Sequence, residues 1–185
     1  MDIILASASP RRLELMRLIS EHFEVIPADV EEILPDEIGA MNAAEYLARL
    51  KAQSVAESHP SSLVIGCDTA VIVDDEVLGK PKDSQDAFSM LRKLSGREHS
   101  VVTGCALCMG GKTVSFSEET RVIFHELTDK EILDYIATKE CDDKAGAYGI
   151  QGRGALLVKS IVGDYFNVVG MPVSRLNKEI QIFSL

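Results

Sequence analysis

The sequence predicts an α/β fold built on a mixed β-sheet, on three observations. Short apolar runs of strand length alternate with amphipathic stretches whose apolar residues recur at helical spacing. Glycine-bearing dipeptides join neighbouring strand-like runs, Gly110-Gly111 and Gly163-Asp164, and predict hairpins. Helix-start signals stand between the other runs, so parallel and antiparallel pairings are expected in one sheet.

The elements follow in order. Ile3-Ile4-Leu5-Ala6 reads as a first strand, and an amphipathic run begins at Leu13. Between them lies Ser7-Ala8-Ser9-Pro10-Arg11-Arg12, with Ser9 suited to a helix N-cap and Pro10 to the first helical position. Phe23 to Ile26 is a second strand, and Asn42 with Glu45 opens a helix reaching about Ser58. Leu63 to Cys67 and Ala70 to Val73 read as two strands, followed by a tight turn at Asp74-Asp75-Glu76. Asp83 and Asp86 precede a helical face of Ala87, Met90, Leu91 and Leu94, which Gly96 is placed to end. Ser100 to Met109 and Thr113 to Phe124 form the predicted long hairpin, and Thr128 with Glu131 makes a capping box for the next helix. Ala155 to Ile161 and Tyr165 to Val169 read as the last strands, and Pro172 starts a final helix through Val173, Leu176 and Ile180.

Composition narrows the function. The 185 residues are expected to form a single domain, 1–185, with no repeat and no linker. No apolar run nears the roughly 18 residues of a membrane span. Asp2 near the start speaks against a signal peptide, so the expected location is the cytoplasm. A net charge of −10 argues against a general nucleic-acid binder, whose affinity comes from Lys and Arg on phosphates. A small polyanion remains within reach if the few cations converge. Cys105 and Cys108 have C-x-x-C spacing, but they sit in a strand-like run and no second pair completes a zinc site. All four cysteines are expected to be buried thiols.

Several positions are suited to chemistry. Arginines are disfavoured at a helix N-terminus, so Arg11 and Arg12 there point to an anion between them. Asp68-Thr69 closes the predicted strand Leu63 to Cys67, where a carboxylate serves as general base or metal ligand, or simply as a turn former. Lys80, between Gly79 and Pro81, is either a cation on a stiff loop or a surface lysine; the spacing excludes a Walker motif. Glu31-Glu32 and Lys51 read by themselves as solvated charges. Between Asp142 and Gly154, four glycines with Tyr148 and Gln151 among them make a loop whose backbone can approach a ligand closely. The histidines have neither ligand spacing nor a nucleophile partner.

The order of these segments is distinctive. Ser7 to Arg12, the acidic pair, Lys51-Ala52, Gly66-Cys67-Asp68-Thr69, Gly79-Lys80-Pro81, Leu94-Ser95-Gly96, Val101-Val102-Thr103-Gly104, Asp143 to Gly152 and Asn167 to Pro172 together resemble the Maf family of nucleotide pyrophosphatases. The resemblance implies a twisted mixed sheet flanked by helices, with two lobes around a central cleft, similar to inosine triphosphate pyrophosphatases. It implies hydrolysis of a nucleoside triphosphate between the α and β phosphates with a divalent metal, Mg²⁺ or Mn²⁺, a role in cleansing nucleotide pools, a link to arrest of division, and a homodimer. By this resemblance Asp68 is the catalytic carboxylate, and Ser7, Arg11, Arg12, Lys51 and Lys80 bind substrate. Glu32 and Asp68 serve the metal, while Arg12, Thr69 and Gln151 resemble the pattern of the subgroup that favours dTTP and UTP. Cys67 stands where alanine is common. The alternative is a nucleotide-binding regulator of division without significant turnover.

Overall fold

The computed structural model describes residues 2–183. The chain runs β1 (Ile3–Leu5), α1 (Pro10–Met16), β2 (Glu24–Val25), α2 (Ala40–Ala56), β3 (Leu63–Val73), β4 (Glu76–Leu78), α3 (Ser84–Leu94), β5 (Glu98–Met109), β6 (Lys112–Phe124), α4 (Asp129–Ile136), β7 (Val158–Val162), α5 (Tyr165–Val169) and α6 (Val173–Phe183). Two 3₁₀ turns, Ala145–Ala147 and Gly152–Leu156, fill the connection after α4.

Seven strands form one mixed sheet in the order β2-β1-β3-β5-β6-β7, with β4 also beside β3. β1 pairs in parallel with β2 and β3, and the remaining pairings are antiparallel. Both tight hairpins rest on left-handed backbone. Gly110 and Gly111 take φ of +57° and +81° between β5 and β6, and Asp74 and Asp75 take +54° and +59° between β3 and β4. That geometry matches the strand twist, and aspartate tolerates it better than most side chains.

The helix α2 lies directly on one face of the sheet because glycines there carry no side chain. A Cβ at Gly66 would sit 2.4 Å from Ala48 O, and one at Gly104 would sit 2.4 Å from Ala44 O. Ala44, Ala48 and Ala52 complete the contact and are buried. On the other face, Leu63, Ile65, Cys67, Cys105 and Leu107 pack with Leu176, Ile180 and Phe183 of α6. A further cluster joins Leu91 and Leu94 of α3 to Ile132 and Tyr135 of α4 and to Val122 and Phe124 of β6.

The structure departs from the sequence reading in several places. Leu63 to Val73 is one strand, because its register with β5 is unbroken from Val64 to Ile72. Asp68 therefore lies in mid-strand and does not end one. Tyr165 to Val169 is a helix; Asp164 caps it by accepting from Phe166 N at 2.8 Å, so Gly163-Asp164 closes no hairpin. Ala155 and Leu156 belong to a 3₁₀ turn, which delays β7 to Val158. α2 starts at Ala40 behind Gly39, two residues before Asn42. Ser9 occupies the N-cap position of α1 but its side chain makes no cap hydrogen bond. The capping box of Thr128 and Glu131 is present as expected.

Candidate active site

The site lies in a gap along one edge of β3. On that edge β1 pairs with Ile65 and the residues before it, and β4 pairs with Val71 and the residues after it. Among the described residues, no strand covers Gly66 to Ala70 there. The chain leaving β1 passes straight into Ser7–Arg12, and the chain leaving β4 passes into Gly79-Lys80. Both segments therefore open into the gap. Because side chains alternate along a strand, Asp68 faces α2 while Thr69 faces α5. A ligand lodged at the open edge meets both.

A cavity of about 440 Å³ occupies this position, and Ser7, Arg11, Arg12, Glu32, Lys51, Asp68, Thr69, Lys80 and Gln151 all line it. Every site residue expected from the sequence is thus brought to one place.

On the α2 side, Lys51 Nζ lies 2.6 Å from Asp68 Oδ1 and 2.9 Å from Glu32 Oε1. The Lys51 and Asp68 side chains are only 13% and 15% exposed, whereas Glu32 is 52% exposed. Alone, Lys51 and Glu32 read as solvated charges; in the fold one ammonium bridges two carboxylates. The two carboxylates are hard oxygen donors of the kind Mg²⁺ and Mn²⁺ take, usually one or two from protein with the rest from water and phosphate. Among the described residues no group of three or more His, Cys, Asp or Glu is placed to hold a metal. The donor set fits a cation that arrives with a phosphate and not a closed protein cage.

On the other side, Arg12 is held by three acceptors. Its Nε donates to Gly170 O at 2.9 Å, Nη2 to Thr69 Oγ1 at 3.0 Å, and Nη1 to Ser7 Oγ at 3.4 Å. Arg11 pairs instead with Asp143 at 3.2 Å, and Lys144 also holds Asp143, at 2.7 Å. Burial works to raise the Asp143 pKa, but Lys144 and Arg11 together bring it below the ordinary carboxylate value. Lys80 is exposed at the rim, and its loop is tied down where Gly146 N donates to Gly79 O at 3.0 Å.

The glycine-rich loop lines the cavity through residues from Asp143 to Gln151. Gly146, at φ +66°, lets the loop lie against Val71, and a Cβ at Gly154 would sit 1.9 Å from Gly149 O. Its glycines chiefly let the loop fold on itself and on β3, though Gly149 does line the cavity. Tyr148, also in the cavity wall, is fixed from behind by His99, whose Nε2 lies 2.7 Å from the phenol oxygen. The sequence gives no individual role to His99, Thr103, Asp143, Lys144 or Asn167, although all but His99 lie in the segments that carry the family resemblance. Asp143 and Lys144 stand beside the glycines, but the pairing of Asp143 with Arg11 spans 132 residues and leaves no local pattern.

A mixed sheet opened at one edge, with cations on three segments facing a lysine-bridged carboxylate pair, defines an α/β protein built to handle a polyanion. The chain belongs to the Maf family: the match to Maf-like proteins runs over residues 2–183. It is 50% identical to a Geobacillus protein named dTTP/UTP pyrophosphatase, over 97% of both chains. A Bacillus cytotoxicus protein of the same name is 52% identical over 97% of this chain and 94% of its own. The fold resembles the Ham1 proteins of Staphylococcus aureus (TM-score 0.60, 15% identity, 99% of this chain and 100% of that one) and Coxiella burnetii (TM-score 0.57, 14% identity, 98% and 99%).

Proposed function

We propose that the protein is a cytoplasmic nucleoside triphosphate pyrophosphatase that cuts dTTP and UTP between the α and β phosphates, releasing the monophosphate and pyrophosphate. The observation that carries the reading is the convergence of nine polar residues from six segments of the chain on one cavity of about 440 Å³. The shared name of relatives about half identical along their full length supports the choice of bases.

A nucleoside triphosphate brings about four negative charges, and an acidic protein must gather cations to hold it. Arg11, Arg12, Lys51 and Lys80 supply them from separate segments. Fixed cations also oppose the charge that builds on a leaving pyrophosphate. Ser7, buried beside Arg12, adds a hydroxyl for a phosphate oxygen. Asp68 would take the proton of the attacking water, hold the cation that acidifies it, or do both; its contact with Lys51 at 2.6 Å supports a fixed carboxylate. Glu32 and Asp68 would hold a divalent cation, which when bound acidifies water and neutralises phosphate charge. Thr69, Arg12 and Gln151 are left to read the base.

A panel of dTTP, UTP, CTP, GTP, ATP and 7-methyl-GTP, scored for released pyrophosphate, tests the reading. Turnover of dTTP and UTP well ahead of the rest is expected. A preference for 7-methyl-GTP would overturn the base assignment.

A further inference from the structure

Behind the base-reading residues lies a buried line of oxygens whose proton order can be worked out. Thr69 on β3 and Thr103 on β5 are directly paired across the ladder, and their Oγ1 atoms are 2.9 Å apart. Thr103, fully buried, donates to the main-chain oxygen of Asn167 at 2.9 Å. Asn167 is itself fixed, its Nδ2 donating to Val101 O and Thr120 Oγ1, each at 3.0 Å. At the cavity end, Arg12 Nη2 donates to Thr69 Oγ1 at 3.0 Å.

A carbonyl oxygen only accepts, and a hydroxyl carries one proton. If the Thr103 proton turned towards Thr69, two lone-pair oxygens would face each other at the Asn167 end. The Thr103 proton is therefore committed to Asn167, and Thr69 must give its own proton to Thr103. Arg12 occupies one Thr69 lone pair. The group left for the cavity is the other lone pair, so Thr69 meets a ligand as an acceptor only.

We infer that Thr103 is a specificity-determining positioning residue: by taking the Thr69 proton, it makes Thr69 an acceptor that selects a base carrying its N–H donor at N3. The inference rests on the pyrimidine triphosphate reading given above. Uracil and thymine carry one N–H on the edge that pairs with other bases, N3–H, flanked by two carbonyl acceptors. Thr69 can pair with that edge only at N3. Cytosine places a lone pair at N3, where it would oppose the Thr69 oxygen, and carries its donor one position away on the 4-amino group. The residue that touches the base is thus set by a neighbour that touches no ligand.

Two measurements test this. The first uses the unaltered protein with UTP and 3-methyl-UTP, which lacks the N3 proton. The second compares kcat/KM for UTP and CTP in Thr103→Val and Thr103→Ser. With the wild type, 3-methyl-UTP is expected to fall about tenfold or more below UTP, the scale of one lost hydrogen bond. In Thr103→Val the freed Thr69 hydroxyl can donate, so the UTP/CTP ratio should drop about tenfold. Thr103→Ser, which keeps the hydroxyl, should restore it. Equal turnover of UTP and 3-methyl-UTP overturns the inference and leaves the pyrophosphatase reading standing. An equal loss on UTP and CTP in Thr103→Val also overturns it, since that is what damaged packing alone produces. If Thr103→Val does not fold, Thr103→Ala, which also frees the Thr69 proton, takes its place in the same UTP and CTP comparison. Absence of any UTP turnover in the wild type removes both readings together.

Discussion

His99 shows how a single residue can be silent in a sequence and consequential in a fold. It is 3% exposed and set edge-on between Phe124 and Tyr148, with ring centroids 5.0 and 5.4 Å away. Its Nδ1 is buried without a hydrogen-bond partner. Burial, helped by the charge of Arg97, pushes its pKa from 6.5 down to about 4. The folded protein keeps the ring neutral while the unfolded chain takes up a proton as pH falls below 6.5. Stability is therefore lost from that point down to about 4, at about 1.4 kcal/mol per pH unit. Urea unfolding at about pH 7 and pH 5 should show the wild type losing about 2 kcal/mol more than His99→Gln over that interval. Parallel losses in the two proteins would mean that another group carries the pH dependence. In the sequence His99 is one of four scattered histidines, because its partners Phe124 and Tyr148 come from elements 25 and 49 positions away. Asp68, Arg12 and Lys80 were legible by residue type and by the order of their segments. What each of them touches was not, since Lys51–Asp68 and Arg12–Gly170 exist only after folding.

At the scale of elements, the contact between α2 and the sheet sets the half of the site that holds Lys51, Asp68 and Glu32. Gly66 and Gly104 let the helix backbone rest on β3 and β5, which brings Lys51 to Asp68. In Gly66→Ala the new Cβ would meet Ala48 O at 2.4 Å and Ala52 Cβ at 2.9 Å, contacts that no flexible side chain can relieve. Overpacking of this kind costs about 1–3 kcal/mol. Denaturant unfolding should report that loss, together with a fall in kcat as α2 is levered off the sheet. Unchanged stability and kcat would show that the close contact is not what positions Lys51. The long hairpin, the capping box of α4 and the amphipathic faces of α2 and α3 were all readable, since their signals are local and periodic. Tyr165 to Val169 was not: a five-residue run with four apolar side chains around Asn167 fits a strand or a buried helix equally well. The deciding feature, the Asp164 cap, was visible but had been assigned to a turn. The split reading of β3 failed for a related reason. Asp68 and Thr69 look like a strand end until Lys51, Arg12 and Thr103 supply their partners.

Across the whole molecule, function follows from where the sheet is left incomplete. β1 and β4 flank β3 but stop short of each other, and their outgoing chains bring the first arginines and Lys80 into the opening. No single segment announces this gap. It is a consequence of strand lengths and register, so the sequence could indicate a polyanion site but not its shape. A net charge of −10 with Arg11, Arg12, Lys51, Lys80 and Lys144 gathered around one cavity suits a small polyanion better than an extended one. Hydrolysis of the α–β phosphate bond in this cavity can be read directly from the products. UTP incubated with the protein and Mg²⁺ or Mn²⁺, with products separated by ion-exchange chromatography, should yield UMP and pyrophosphate in equal amounts. The Asp68→Asn variant, folded to the same extent by circular dichroism, should be slower by roughly 10²–10⁴-fold, the usual range for loss of a general base. UDP with orthophosphate from the wild type, or no product at all, would mean that the cavity does not cut the α–β bond.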